Sequence, residues 1–234
     1  MERTPPHRHA LAPLLALLAV VGLWASPAHA AVWYSSDRWG TWSSGGHTLY
    51  NNVWGSGTGP QTIWADSATH WGVWADHPGT GGIKSYPNVT KAVDRRISAL
   101  TTLTSHYDVS VPAAGAYSTA YDIWDSAHRH EIMLWVNHHG PVGPLGSAQG
   151  RVTLGGHTWD VYRGDNGSNA VYSFLRTADS TTGRIDLKAV LDWLRNSRKW
   201  IGDIVVGDVQ FGYEITSSPG GLDFVTRDIG VSAG

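Results

Sequence analysis

Only one segment of this chain places apolar residues at helical spacing. Leu187, Val190, Leu191 and Leu194 fall at i, i+3, i+4 and i+7 behind Asp186, a side chain suited to cap a first helical turn. The other apolar runs are short, rich in β-branched and aromatic residues, and closed by Gly, Asn or Ser; residues 132–136, 158–162, 170–175 and 204–206 are of this kind. Gly155-Gly156 and Asn166-Gly167 stand between such runs and predict hairpins. The pattern excludes a helical bundle and predicts an all-β jelly-roll sandwich of two antiparallel sheets with one external helix.

The first thirty residues are set aside from this reading. Arg3, His7, Arg8 and His9 precede an apolar run over residues 10–24, and Ala28-His29-Ala30 stands before Ala31. That is the pattern of a secretion signal, so export and a mature domain over residues 31–234 are expected. The apolar run is shorter than the roughly 20 residues a membrane span requires. No repeat, charge block or Pro/Ser-rich linker divides residues 31–234, and a single catalytic domain without an appended binding module is expected. The chain has no cysteine, so its core alone must hold it. With 17 basic and 19 acidic residues there is no electrostatic case for nucleic acid or an anionic membrane as partner, and an uncharged ligand fits better. A soluble, extracellular monomer is expected.

Two features of composition narrow the ligand. Of 13 tryptophans, Trp39, Trp42, Trp54, Trp71 and Trp74 sit in turn-like contexts beside Gly, Asn or Ser, where flat rings suit sugar faces as well as a sandwich core. After position 30 the chain also carries sixteen Asp but only two Glu, Glu131 and Glu214. Where a surface carboxylate suffices the sequence uses Asp, which marks these two positions as ones that need the longer reach. A carboxylate pair flanking a bond is the apparatus of glycoside hydrolysis.

Strand parity sharpens this. Glu131, Met133 and Trp135 share one face and Ile132, Leu134 and Val136 the other; Gln210, Gly212 and Glu214 share a face in the same way. Each Glu thus lies on the non-core face, which a curved sheet turns into the floor of a groove. Met133 brings a soft side chain two residues from Glu131, suited to line a sugar or simply to pack. Residues 121–124 precede Glu131 by a short polar connection that reads as a hairpin loop, which places Asp122 near Glu131 across the strand pair. His138-His139 lacks a third ligand at metal spacing, and neither a metal nor a cofactor is expected.

Here the sequence resembles glycoside hydrolase family 12. Glu131-Ile132-Met133-Leu134-Trp135 is similar to that family's nucleophile strand, and Gln210-Phe211-Gly212-Tyr213-Glu214 to its acid/base strand. Ser36-Asp37-Arg38-Trp39, Asn51-Asn52-Val53-Trp54-Gly55 and Lys84-Ser85-Tyr86-Pro87-Asn88 resemble its N-terminal segments, and residues 140–150 the loop after the nucleophile. The resemblance implies a concave cleft across a jelly roll and hydrolysis of internal β-1,4-glucosidic bonds, in cellulose-type or mixed-linkage glucans, with retention. It implies Glu131 as nucleophile, Glu214 as general acid/base and Asp122 as support for Glu131. Asn52, Trp39, Trp54, Met133 and Gln210 would line the substrate side. Retention requires the two carboxyl groups to sit about 5–5.5 Å apart.

The sequence departs from the family pattern in three places. The disulfide that family members often carry near the N-terminus is absent, with Ser36 before Asp37; Ile215-Thr216 follows the acid/base where Pro and an aromatic are common; and the connection before Glu131 is short. The rival readings are a xyloglucan-specific endohydrolase or β-1,4-xylanase on the same fold, which need the same carboxylates, and a non-catalytic lectin-like carbohydrate binder, which does not.

Overall fold

The computed structural model describes residues 31–234; the expected signal segment, residues 1–30, lies outside the described residues. In chain order the strands begin with β1 (Trp33–Ser35), β2 (Thr41–Ser44), β3 (His47–Tyr50), β4 (Gln61–Ala65), β5 (Trp71–Ala75), β6 (Asn88–Arg96), β7 (Leu103–Ser110) and β8 (Ala116–Asp125). They continue with β9 (His130–His139), β10 (Ser147–Leu154), β11 (His157–Asp165), β12 (Ala170–Arg176), β13 (Thr182–Asp186), β14 (Val205–Ser217) and β15 (Leu222–Ala233). One helix, α1 (Leu187–Asp192), lies between β13 and β14 and runs on as a π-helical turn, Trp193–Ser197.

The strands form a six-stranded sheet, β1-β4-β5-β15-β7-β13, and a nine-stranded sheet, β10-β11-β12-β9-β8-β14-β6-β3-β2. One core joins them: Ile63, Val73 and Phe224 of the first meet Tyr121, Leu134 and Phe211 of the second. Ring contacts cross the interface, with Tyr117 and Phe224 centroids 4.9 Å apart and Tyr107 and Phe211 5.7 Å apart. The jelly-roll sandwich is as the sequence predicts, with one difference. The pairing of β12 with β9 is parallel, whereas antiparallel sheets are expected. After β9 the chain passes to the sheet's far edge, and two antiparallel reversals, β10 to β11 to β12, fold back inward and bring β12 alongside β9 in the same direction.

Local chemistry accounts for the elements. Asp186 caps α1 by accepting the Ala189 N–H at 3.0 Å, and Leu187, Val190, Leu191 and Leu194 are buried. Gly155 and Gly156 take φ of +59° and +88° in the β10–β11 turn, a conformation that L side chains resist. In β9, Ile132, Leu134 and Val136 are fully buried in the core. A one-residue slip would send all three into the cleft, at about 1.5–3 kcal/mol each, so register is strongly held.

The cysteine-free N-terminal loops are tied by buried polar groups. Gln61 Nε2 donates to the Asn51 carbonyl at 2.7 Å, while its Oε1 accepts from Ser85 Oγ at 2.7 Å and from His77 Nε2 at 2.9 Å. The Gly59 N–H donates to His77 Nδ1, which leaves the ring proton on Nε2. Burial, then the Lys84 charge, lowers the proton affinity of His77 and keeps it neutral. Arg38 Nε donates to the Val53 carbonyl, Asn51 Nδ2 to the Asp37 carbonyl, and Ser36 Oγ lies 2.7 Å from Thr62 Oγ1. The loops bearing Trp39, Asn52 and Trp54 are thereby fastened to each other and to β4.

Candidate active site

Strands β9, β8 and β14 are neighbours near the middle of the nine-stranded sheet. On β8, Asp122 pairs with Met133 on one side and Gln210 on the other. Two residues further along, Trp124 pairs with Glu131; in the opposite direction, Ser118 pairs with Glu214. Glu131 and Glu214 therefore project from the same face, on opposite sides of the Asp122 row. That face opens into a cavity of about 720 Å³ lined by Glu131, Glu214, Asp122, Met133, Asn52 and Trp54. Gln210, Tyr86, Trp124 and Trp135 also border it.

Of the predicted site residues, all but Trp39 meet in this cavity. Trp39 is 61% exposed in the loop between β1 and β2 and lies outside the cavity lining. The other turn tryptophans divide by strand parity. Trp71 is fully buried, its ring 5.6 Å from Tyr213, and Trp42 stacks on Trp33 at 6.1 Å. Trp74 belongs to the opposite sheet, so of these five only Trp54 reaches the cavity.

The surroundings separate the carboxyl groups. Burial, then the Glu131 charge, pushes the Glu214 pKa up from 4.5 to about 7, although the Ser118 hydroxyl donates to it at 3.4 Å. Burial also raises Glu131, but Asn169 Nδ2 donates to its Oε2 at 3.0 Å and favours the ionised form. Asp122 is raised well above the usual carboxylate range, by burial first and then by Glu131, Glu214 and Asp208. That direction favours the protonated form of Asp122. Asp122 Oδ1 and Trp135 Nε1, on residues that line the cavity, are buried without a partner in the protein, polar atoms that sugar hydroxyls would satisfy.

A family model described as Glycosyl hydrolase family 12 matches residues 36–230. The chain belongs to glycosyl hydrolase family 12. Xyloglucan-specific endo-beta-1,4-glucanase A of Emericella nidulans is 30% identical over 214 residues, covering 83% of this chain and 90% of that protein. Endoglucanase S of Pectobacterium parmentieri is 30% identical over 207 residues, covering 75% and 78%. Among solved structures, the xyloglucanase domain of NopAA, a type three effector from Sinorhizobium fredii in complex with cellobiose, is 40% identical with a TM-score of 0.85, covering 88% of this chain and all of that one.

Two residues of this family 12 hydrolase escape a reading of its sequence as site residues. Asn169 sits just before β12, and its Oδ1 accepts from Asn166 Nδ2 at 2.8 Å; the sequence signal there is only a hairpin turn. Tyr86 lies on a strap running against β14. Its hydroxyl donates to the Ala120 carbonyl at 3.2 Å, and burial, then the carboxyl groups of Asp122, Glu214, Glu131 and Asp208, keeps it protonated. Asn52, at φ +43°, and Asn88 both donate to the Tyr86 carbonyl. A Cβ at Gly212 would stand 2.0 Å from the Pro87 carbonyl oxygen, so only glycine lets the strap lie this close. Ile215 gives its departure from the family pattern a structural consequence. Its N–H donates to the Ser85 carbonyl at 2.9 Å, a bond proline would abolish, and its carbonyl accepts the Lys84 N–H at 2.7 Å. Neither residue of the histidine pair joins the cavity lining: His138 faces Asp179 at 3.1 Å and His139 stacks on Tyr117.

Proposed function

We propose that this family 12 hydrolase cleaves internal β-1,4-glucosidic bonds of β-glucans with retention, using Glu131 as nucleophile and Glu214 as general acid/base. The observation that carries the reading is the divergence of two carboxyl groups in one cavity. Glu214 holds its proton up to about pH 7, while Asn169 favours the anion on Glu131. In the first step Glu131 attacks the anomeric carbon, the glycosidic C–O bond breaks, and the Glu214 proton passes to the departing oxygen. A glycosyl ester on Glu131 results. Ionised Glu214 then takes a proton from water, the hydroxyl attacks the anomeric carbon, and Glu131 leaves as the carboxylate. Neutral Asp122 steadies Glu131 without adding a third charge. Trp54, 49% exposed at the cavity wall, offers a stacking face, and Asn52, Met133 and Gln210 border the sugar path. Release of residues 31–234 outside the cell as a soluble monomer completes the reading; the N-terminal sequence supports export, and among the described residues no helix is long and apolar enough to cross a membrane.

Incubating the purified mature protein with mixed-linkage β-glucan, xyloglucan and xylan tests this. A steep early fall in viscosity with few new reducing ends is expected on one or both glucans, and xylan should stay intact. Binding without any bond cleavage would support a lectin-like protein instead.

A further inference from the structure

Glu131 relies on a donor whose orientation is set in a turn, outside the strands of the cleft floor. Between β11 and β12, Asn166 Oδ1 accepts the N–H groups of Ser168 at 2.9 Å and Asn169 at 3.0 Å. Only the oxygen end of an amide can face two donors, so the Asn166 side chain has one orientation. Its Nδ2 therefore points the other way and donates to Asn169 Oδ1 at 2.8 Å. Asn169 is fixed in turn: with its oxygen taken, its Nδ2 is left to donate to Glu131 Oε2 at 3.0 Å and towards the Ala170 carbonyl at 3.5 Å. Two backbone N–H groups thus decide, through two amides, that Glu131 meets a donor and not an acceptor.

The surroundings give this orientation weight. Asp165 Oδ1 accepts the Gly167 N–H at 2.7 Å, and the Asn166 N–H donates to the Asn169 carbonyl at 3.2 Å, so the turn is held independently of Glu131. Asn169 is buried, and an inverted amide would set its oxygen against Glu131 Oε2 and the Ala170 carbonyl, acceptor against acceptor. Asn166 itself is exposed, so its value lies in direction more than in packing. The other titratable groups bordering the cavity are Asp122 on β8, His128 in the β8–β9 turn, Glu214 on β14 and Tyr86 on the strap; β12 presents only Val171. Among the described residues no Lys or Arg borders it, which leaves the Asn169 amide to oppose the effect of burial on Glu131.

Resting on the endo-glucanase reading with Glu131 as nucleophile, we propose that Asn166 is a positioning residue for the reaction. It holds the Asn169 amide with its nitrogen towards Glu131 and so keeps the nucleophile ionised and aimed. Asn166→Asp isolates that function. The carboxylate still accepts the Ser168 and Asn169 N–H groups, as Asp does in turns of this kind, but it offers Asn169 no hydrogen. The Asn169 amide then turns over, donates to the new carboxylate and shows its oxygen to Glu131. A protonated Glu131 can donate to that oxygen and an ionised one is repelled by it, so the nucleophile takes up its proton at higher pH.

Carbon-13 glutamate labelling and initial rates on mixed-linkage β-glucan across pH test this in wild type, Asn166→Asp, Asn169→Ala and the double variant. Asn166→Asp is expected to move the Glu131 titration to higher pH and to lower kcat about tenfold or more on the acid side of the profile, with KM within about twofold. Asn166→Ala, which removes the donor without adding a charge, should move both in the same direction. Asn169→Ala should do so as well, and adding Asn166→Asp to it should change kcat by no more than about twofold further. A Glu131 titration unchanged in Asn166→Asp and Asn166→Ala overturns the proposal. So does a shift that persists in full in the Asn169→Ala background, which would be the work of the added charge alone. A rise in KM with kcat and titration unchanged also overturns it and makes Asn166 a sugar contact. A wild type that cleaves no glucan overturns the endo-glucanase reading; the titration, read without substrate, still decides whether Asn166 sets the Asn169 amide.

Discussion

Glu131→Gln is expected to lower kcat by at least about 10³-fold, because an amide cannot form the glycosyl ester on which the double displacement depends. The fold should persist. Glutamine keeps the shape of the side chain and can still accept from Asn169 Nδ2, and it removes a charge that burial disfavours. The same change removes one of the two causes that raise Glu214, so Glu214 in this variant should titrate below its wild-type value of about 7. Carbon-13 labelling of glutamate makes this readable, since Glu131 and Glu214 are the only glutamates after position 30. Near-normal turnover with an unchanged circular dichroism spectrum would remove Glu131 from its role.

Glu214→Gln is expected to cost about 10²–10⁴ in kcat on polysaccharide, the usual weight of a general acid. Much of that loss in the first step should disappear on an aryl glycoside whose leaving group departs without a proton. In the wild type, activity should fall on the alkaline side as Glu214 deprotonates near pH 7, and on the acid side as Glu131 takes up a proton; the first limb should vanish in the variant. Stability carries the matching sign. The folded Glu214 pKa is raised above 4.5, so its stabilising protonation is complete below that value and is lost as pH rises through about 7. Glu214→Gln has no such loss, and relative to pH 4 its melting temperature at pH 8 should decline less than that of wild type, by an amount worth at most about 3 kcal/mol. Parallel pH–melting curves for the two proteins would contradict the raised Glu214 pKa.

Much of this site is written in periodicities the chain cannot hide. Alternation in β9 and β14 assigns a face to Glu131, Met133, Gln210 and Glu214 before any register is known, and the scarcity of glutamate singles out two of the four. The Asp186 cap and the Gly155-Gly156 turn are local chemistry and are legible for the same reason. What depends on long-range pairing is not. Trp71 and Trp74 look alike in sequence, yet parity in β5 sends one into the core and leaves the other on the outer sheet. Trp39 matches a family segment but stands outside the cavity, because its loop is fastened to Val53 and Asn51 rather than turned inward. Asn169 reaches Glu131 only because β12 lies parallel to β9, a pairing that the turn signals between β10, β11 and β12 do not specify. Tyr86 is placed by the strap that Gly212 admits and Ile215 holds. These contacts follow from which strands become neighbours, which short motifs leave open.

Reaction with a 2-deoxy-2-fluoro-β-cello-oligosaccharide bearing a good leaving group tests the catalytic assignment most directly, because the fluorine slows hydrolysis of a glycosyl ester enough for it to be isolated. Mass spectrometry of the intact protein and its peptides should find one added glycosyl unit, carried by Glu131. A label on another residue, or no label from an enzyme that hydrolyses glucan with inversion, would contradict Glu131 as the nucleophile of a retaining pair.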